Sequence, residues 1–132
     1  MDCIFCKIGA SESGNFIYKD ESVFVVPDKF PSSKGHVLVI TREHIPDILS
    51  APDDLVKSAF TIAREIGNRQ KAVLEAEGVR ITTNIGKAAG QDIFHTHIHV
   101  IPFYTKPHEG FVKFKQLKDE EAEELVSLLK IQ

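Results

Sequence analysis

Residues 51–77 contain the long helical pattern of this chain, and they lie between segments with the composition of β-strands. Apolar side chains recur there at helical spacing, at Leu55, Ala59, Ile62, Ala63, Ile66 and Val73. We expect Ser50 to be the N-cap, with Pro52 in the first turn, and Gly78 to end the helix. An apolar helix face of this length has to be buried. A sheet built from the neighbouring strands offers a surface against which this face can pack.

The predicted strands come in runs rather than alternating with helices. They cover residues 16–19, 22–27, 36–40, 79–85 and 98–104. Short helices are predicted near both ends, at 3–9 and 119–130. This order favours an α+β fold, an antiparallel sheet of about five strands packed by one long helix, over a doubly wound fold. No linker divides the chain, so we expect a single domain over residues 1–132, with its core at about 3–104 and a tail and helix at 105–132.

Composition excludes several classes of protein. Hydrophobic residues make up 42% of the 132 residues, enough for a packed core. The formal net charge is −3, whereas a protein that coats nucleic acids is typically strongly basic. No run approaches the roughly 18 apolar residues of a membrane span, and no signal-peptide pattern opens the chain. We therefore expect a cytoplasmic protein that binds neither a membrane nor nucleic acid generally.

Three histidines, His95, His97 and His99, alternate at the start of a predicted strand. Alternate residues of a strand point to the same face and lie about 6.6 Å apart along the backbone. Thr96, Ile98 and Val100 are then expected on the opposite, packed face. A row of imidazoles is compatible with a metal site, a proton relay or a nucleophilic histidine.

Cys3 and Cys6 are the two cysteines of the chain, in a C-x-x-C pattern. This spacing is too tight for a disulfide that stabilises the fold. A redox pair is expected after a strand and at the start of a long helix, but no strand precedes these residues. Half of a metal site is the favoured interpretation, provided that two more ligands exist.

A loop of small residues, Gly86-Lys-Ala-Ala-Gly-Gln-Asp92, precedes the histidines. Its backbone N–H groups can approach an anion closely. It is not a Walker A loop, since no Gly-Lys-Ser/Thr stands at the required spacing.

These motifs together resemble a known family. The pattern Asn84-x5-Gly90-Gln91-x3-His95-x-His97-x-His99-Val-Ile-Pro102 resembles the signature of the histidine triad (HIT) family. Upstream, Asp28 and the segment Gly35-His36-Val-Leu-Val-Ile40 resemble another block of that family. The resemblance spans about residues 3–104 and is specific, because two separated motifs agree in order and spacing.

The resemblance implies a covalent mechanism on a purine, AMP-type nucleotide. His97 is implied as the nucleophile that attacks the α-phosphorus and forms a nucleotidyl-histidine, which water or another acceptor then cleaves. His99 and His36 are implied as supporting histidines that orient the nucleophile and contact phosphate oxygens. Asp28 is implied to bind the ribose hydroxyls. The implied phosphate-site residues are Asn84, Gly90, Gln91, which is also assigned to catalysis, and Asp92.

The resemblance also implies zinc. Cys3, Cys6, His44 and His95 match the positions at which one branch of the family, of bacterial and archaeal type, holds the metal. Two thiolates and two imidazoles form a closed structural site. The alternative is a site without metal, in which the cysteines are reduced and His44 caps a turn. A homodimer, with the long helix and a strand edge at its interface, is implied as well.

Two positions depart from the family pattern. Asp92 stands where the phosphoramidase branch usually has Ser, and its carboxylate is expected to attract an amine and repel a polyphosphate. Phe103 stands where many relatives have Arg. The chain has no Trp, so the family's Trp-bearing C-terminal element is not recognisable, and residues 105–132 carry little information on substrate.

Three functions are compatible with these features. The leading one is a hydrolase or nucleotidyl transferase acting on purine nucleoside phosphoramidates or dinucleoside polyphosphates. The second is a nucleotide-binding sensor or scaffold whose hydrolysis is incidental. The third is a metal-dependent phosphohydrolase that uses the histidine triad as ligands.

Overall fold

Five strands form one antiparallel sheet in the spatial order β1-β2-β3-β5-β4. The computed structural model describes residues 3–131. The strands are Tyr18–Lys19 (β1), Val23–Pro27 (β2), Val37–Thr41 (β3), Gly78–Thr82 (β4) and His97–Phe103 (β5). The predicted α+β class and the number of strands are confirmed.

Helices cover both faces of this sheet. They are Ile4–Ala10 (α1), Asp53–Val73 (α2) and Asp119–Leu129 (α3). The side chains of β3 alternate between the two faces. Val37 and Val39 enter the core beneath α2 and α3, whereas Leu38 and Ile40 pack on the α1 side. No helix within residues 3–131 has the length and hydropathy needed to cross a membrane.

The same alternation positions the histidines of β5. Ile98 and Val100 are fully buried in the core beneath α2, so His97 and His99 face the α1 side. The register places His97 opposite Ile40 and His99 opposite Leu38. The predicted packed and polar faces of this strand are therefore confirmed for these four residues.

Both predicted ends of the long helix were wrong. Ser50 lies in a separate 3-10 turn, Ile48–Ser50, and Pro52 is the N-cap of α2. The Asp47 carboxylate accepts a hydrogen bond from Leu49 N–H and so caps that turn instead. At the other end α2 stops at Val73, and Gly78 opens β4.

The chain leaves α2 through Glu75 rather than through a glycine. Glu75 has φ 60°, the left-handed conformation that glycine more often supplies at a helix end. The next residue, Ala76, is buried at 6% exposure and its N–H binds the Gln70 carbonyl. Burial of Ala76 thus fixes the turn at a point that sequence spacing does not reveal.

Gly35 holds the loop between β2 and β3 in place. Its φ is +97°, a conformation that favours glycine, and a Cβ at this position would also press on Leu74 Cδ1. Just outside the paired strands, Asp28 N–H binds the His36 carbonyl at 2.9 Å. The loop therefore places Asp28 and His36 side by side.

Candidate functional site

His95 differs from the other two histidines of its motif. It lies in a bend before β5, is fully buried, and its Nε2 is 2.6 Å from the Thr41 carbonyl. A carbonyl only accepts, so Nε2 carries the proton and Nδ1 holds the lone pair. Burial lowers the pKa of His95, which keeps the ring neutral. His95 precedes β5, which begins at His97, but its ring lies on the same α1 side, since Phe5 contacts both His95 and His97.

The free Nδ1 of His95 faces two cysteines and a second histidine. It lies 3.3 Å from Cys3 Sγ, 3.6 Å from Cys6 Sγ and 3.2 Å from His44 Nδ1. Cys6 Sγ is 3.3 Å from His44 Nδ1, and all four ligand atoms lie within 4.8 Å of one another. Zinc bond lengths predict distances of about 3.3–3.8 Å between the ligand atoms of a tetrahedral Cys2His2 site. The four predicted metal ligands therefore come together in a set that fits such an ion.

His97 presents a lone pair to solvent-accessible space. Its Nδ1 is 2.7 Å from the His95 carbonyl, so Nδ1–H donates, and in the neutral ring the lone pair is on Nε2. The Phe5 ring packs against the imidazole edge-on, with 5.0 Å between centroids. A backbone carbonyl and an aromatic ring thus fix both the tautomer and the orientation of His97.

His36 and His99 form a hydrogen-bonded pair beside the nucleophile candidate. Ser32 N–H donates to His36 Nδ1 at 3.1 Å, so His36 carries its proton on Nε2. That Nε2 is 3.0 Å from His99 Nδ1 and 3.3 Å from Asp28 Oδ2. With Nδ1 of His99 as acceptor, Nε2 of His99 holds the proton and is a donor.

Burial keeps this pair neutral. It lowers the pKa of His36 to about 4, against the opposing effect of Asp28, and it lowers the pKa of His99. The site therefore combines His97, whose Nε2 is not used by the bond to the His95 carbonyl, with a neutral donor on His99, and the two ring centroids are 5.2 Å apart.

These groups share one cavity of about 560 Å³, a size suited to a small ligand. Its polar end is formed by Asp28, His36, Asp92, His97 and His99. The rest of its wall is largely apolar and consists of Ile4, Phe5, Ile8, Val26, Pro27, Phe30, Leu38, Ile93 and Phe114, with Lys29 beside them. A ligand with one polar, hydrogen-bonding end and one apolar end matches this division.

The remaining predicted phosphate-site residues, Asn84, Gly90 and Gln91, do not line the cavity. Gln91 is buried, and its amide group accepts from Gly86 N–H and donates to the carbonyls of Pro46 and Ile93. In this structure its side chain stabilises the loop that ends at Asp92. Spacing in the sequence could not distinguish a loop-stabilising amide from one that contacts the ligand.

Sequence reasoning missed the apolar wall. Ile4, Phe30 and Phe114 are about half or more exposed, and all line the cavity. Phe114 comes from the C-terminal region in which no substrate-related pattern was recognisable. No local pattern identifies such residues, because only the tertiary fold brings the three segments together.

The low pKa of His36 predicts a pH-dependent stability. In the folded protein the pKa of His36 is about 4, below its ordinary value of 6.5. Between pH 4 and pH 6.5 the His36 ring is therefore protonated in the unfolded chain but not in the folded one. The free energy of unfolding is expected to be fully retained above about pH 6.5 and to fall as pH drops toward 4, by at most about 1.4 kcal/mol per pH unit from this group. Urea titrations across this range should give a smaller slope for His36→Gln than for the wild type. Equal slopes would contradict the assignment.

Comparison with known proteins places the chain among HIT proteins. Residues 10–106 match the HIT domain model. A hypothetical histidine triad nucleotide-binding protein from Sulfolobus tokodaii has a TM-score of 0.88 and 34% identity, with 96% of this chain and 89% of that chain covered. A zinc-bound histidine triad family protein from Mycobacterium smegmatis has a TM-score of 0.82 and 32% identity, with 98% and 91% covered. An adenylylsulfatase from Arabidopsis thaliana is 34% identical, with 98% of this chain and 68% of the relative covered.

Proposed function

The chain belongs to the HIT domain family, and we propose that it is a nucleotide hydrolase or nucleotidyl transferase working through a nucleotidyl-histidine. The bond cleaved is the one between the α-phosphorus and an amine or a polyphosphate, in purine nucleoside phosphoramidates or dinucleoside polyphosphates. The observation that carries this proposal is the tautomer of His97. Its Nδ1–H is bound to the His95 carbonyl at 2.7 Å, and its Nε2 lone pair faces the cavity.

The first step is attack of His97 Nε2 on the α-phosphorus. The P–N bond to His97 forms, the bond to the leaving group breaks, and its electron pair goes to the leaving group, which takes up a proton from solvent when it is an amine. The developing positive charge on His97 is stabilised by its Nδ1–H bond to the His95 carbonyl. His99 Nε2–H is positioned to donate to an oxygen of the phosphoryl group.

In the second step water or another acceptor attacks the phosphorus, the P–N bond breaks with its electron pair returning to His97 Nε2, the acceptor gives up its proton to solvent, and the nucleotide is released. Two displacements replace one difficult reaction at an anionic phosphorus. His36 supports both steps, since its Nε2–H holds Nδ1 of His99 as an acceptor at 3.0 Å. Asp28 lies at the same end of the cavity, where a carboxylate can accept hydrogen bonds from the ribose hydroxyls.

Zinc is proposed as a structural ion held by Cys3, Cys6, His44 and His95. When bound, it would join the start of α1 to the bend before β5. The same bend supplies the His95 carbonyl that orients His97. The neutral Nδ1 of His95 and the distances within the cluster support this, and the zinc-bound relative has the same fold.

Two relatives support the choice of nucleotide. The Arabidopsis protein acts, by its name, on an adenylyl sulfate, a compound whose adenylyl group is attached to an acid leaving group. The Sulfolobus protein is described as nucleotide-binding. An adenylyl group attached to a leaving group is the common element that we propose for the ligand of this chain.

Hydrogen bonding argues against the triad as a catalytic metal site. The lone pair of His95 faces the cysteine cluster, and that of His97 faces the cavity. The lone pair of His99, on Nδ1, accepts from His36 Nε2–H at 3.0 Å. The ring nitrogens that would have to converge on one ion are therefore committed to different partners.

The experiment that tests the function is AMP release from adenosine 5′-phosphoramidate and from a diadenosine polyphosphate. Turnover of either substrate is expected, and it should persist in the presence of a chelator for as long as the fold is intact. Nucleotide binding without turnover would favour the sensor or scaffold instead. Immediate loss of turnover with the fold intact would favour a catalytic metal.

Asp92 is proposed to bias the enzyme toward amine leaving groups. Its carboxylate is exposed and lines the cavity, so it attracts a leaving ammonium and repels a polyphosphate. Asp92→Ser is expected to lower the ratio of kcat/KM for an AMP–lysine amide over a diadenosine polyphosphate by about threefold to fivefold, because an exposed charge pair contributes at most about 1 kcal/mol. An unchanged ratio would remove the basis for this preference.

A homodimer remains a prediction from the family resemblance. β4 forms one edge of the sheet, and Ile81 on it is 39% exposed. On the adjacent strand, Phe103 is 41% exposed and lies under the Arg80 guanidinium at 4.7 Å. An interface at this edge would cover these side chains.

A further inference from the structure

The segment after β5 returns to the mouth of the cavity that contains His97. Two backbone hydrogen bonds hold it there, from Phe114 N–H to the Pro31 carbonyl at 2.8 Å and from Leu117 N–H to the Lys29 carbonyl at 2.7 Å. The loop that receives them begins at Asp28. Phe114 is thereby positioned at the wall of the cavity although it is remote from the other lining residues in sequence.

Phe114 combines two unfavourable features. Its φ is +64°, a conformation that a bulky residue rarely adopts, and its side chain is 61% exposed. Strained backbone of this kind persists where the surrounding contacts enforce it, and it is concentrated at ligand sites. Phe114 is the third residue of a turn that Lys115 N–H closes on the Val112 carbonyl at 3.2 Å. Glycine or asparagine usually supplies the positive φ there, so the turn itself does not call for an exposed phenylalanine.

Other exposed apolar side chains line the same cavity. Ile4 and Phe30 are each 51% exposed. Phe30 is adjacent to the polar end, since its N–H donates to Asp28 Oδ1 at 2.8 Å. Clustered exposed apolar residues beside a polar centre indicate a ligand surface rather than chance exposure.

We propose that Phe114 is a specificity-determining residue that covers the base of the bound nucleotide by stacking on it. This rests on the proposed function, which assigns the phosphate to His97 and His99 and the ribose to Asp28. The base then extends from Asp28 toward the apolar wall that contains Phe30 and Phe114. The C-terminal segment thus takes part in substrate recognition through one aromatic ring.

Variants at position 114 distinguish the effect of losing the aromatic ring from the effect of backbone strain. Phe114→Gly removes the ring and accepts φ +64° without strain, whereas Phe114→Ala removes the ring and keeps the strain. Phe114→Trp keeps an aromatic face. Val112→Ala is the matched control, because Val112 is an exposed residue of the same segment that does not line the cavity.

The measurement is KM and kcat for adenosine 5′-phosphoramidate and for ribose 5-phosphoramidate, which lacks the base. Phe114→Gly and Phe114→Ala are both expected to raise KM for the adenosine substrate by about tenfold, equivalent to about 1.4 kcal/mol and within the range of base–aromatic stacking. Their kcat, and both constants for the substrate without a base, should stay near the wild-type values. Phe114→Trp and Val112→Ala should behave as the wild type.

Three results would overturn the proposal. The first is an unchanged KM in Phe114→Gly, and the second is a rise in Phe114→Ala alone, which would assign the effect to the backbone. The third is an equal loss for the substrate without a base. If the wild type neither binds nor cleaves the adenosine substrate, the proposed function fails and this inference fails with it. Failure at position 114 with an active wild type overturns this inference alone.

Discussion

Replacing His97 with alanine is expected to lower kcat for adenosine 5′-phosphoramidate by about 10⁴-fold or more, a loss of the size seen when a covalent nucleophile is removed. The reason is that Nδ1–H of His97 is bound to the His95 carbonyl, which leaves Nε2 as the ring nitrogen that can attack at the polar end of the cavity. Stopped assays of AMP release measure the effect.

A second variant distinguishes the nucleophile from a residue that assists it. His99→Ala removes one donor to the phosphoryl oxygens, and its kcat is expected to fall by about 10²- to 10³-fold. Nucleotide binding by His97→Ala, measured calorimetrically, should be retained. An effect of His97→Ala no larger than that of His99→Ala would show that His97 is not the nucleophile.

Removal of zinc is expected to have the largest effect on stability. An ion bound only by the folded state contributes about 4 kcal/mol when its free concentration is roughly a thousandfold above Kd, so a chelator should lower Tm by about 10 °C or more. Cys3→Ala should have a low Tm without chelator, since Cys3 Sγ lies 3.3 Å from His95 Nδ1 and is buried. Calorimetry with metal analysis measures both quantities, and one zinc per chain is expected.

A matched control for Cys3→Ala is His108→Ala, because His108 packs against Tyr104 and lies outside the metal cluster. Its zinc content and its response to chelator should equal those of the wild type. A metal-free wild type whose Tm does not respond to added zinc would contradict the structural ion.

Local patterns predicted the sheet well because strand faces follow from alternation alone. The segment 98–100 illustrates this, since Ile98 and Val100 enter the core and His99 faces the cavity. The ends of α2 could not be predicted in the same way. Burial of Ala76 and the separate turn capped by Asp47 depend on the tertiary fold rather than on local preference.

In the site, too, some residues could be predicted from local sequence, whereas others are placed only by the tertiary fold. Histidine spacing and the family resemblance predicted roles for His97 and His99, and the structure adds their tautomers through the carbonyl of His95 and the N–H of Ser32. Gln91 was assigned to the phosphate site, yet its amide binds the backbone of its own loop and Pro46. The position of Phe114 at the cavity could not be predicted from the sequence, because it depends on hydrogen bonds between distant segments.

The covalent intermediate gives the most direct test of this mechanism. The wild-type protein would be mixed with adenosine 5′-phosphoramidate, quenched in alkali, where a phosphorus–nitrogen bond to histidine survives, and analysed by peptide mass spectrometry. One adenylyl group is expected on the peptide that contains His97, within the first turnover, and none is expected in His97→Ala. An adenylyl group on another residue, or product formation with no protein-bound adenylyl group at any quench time, would contradict nucleophilic attack by His97.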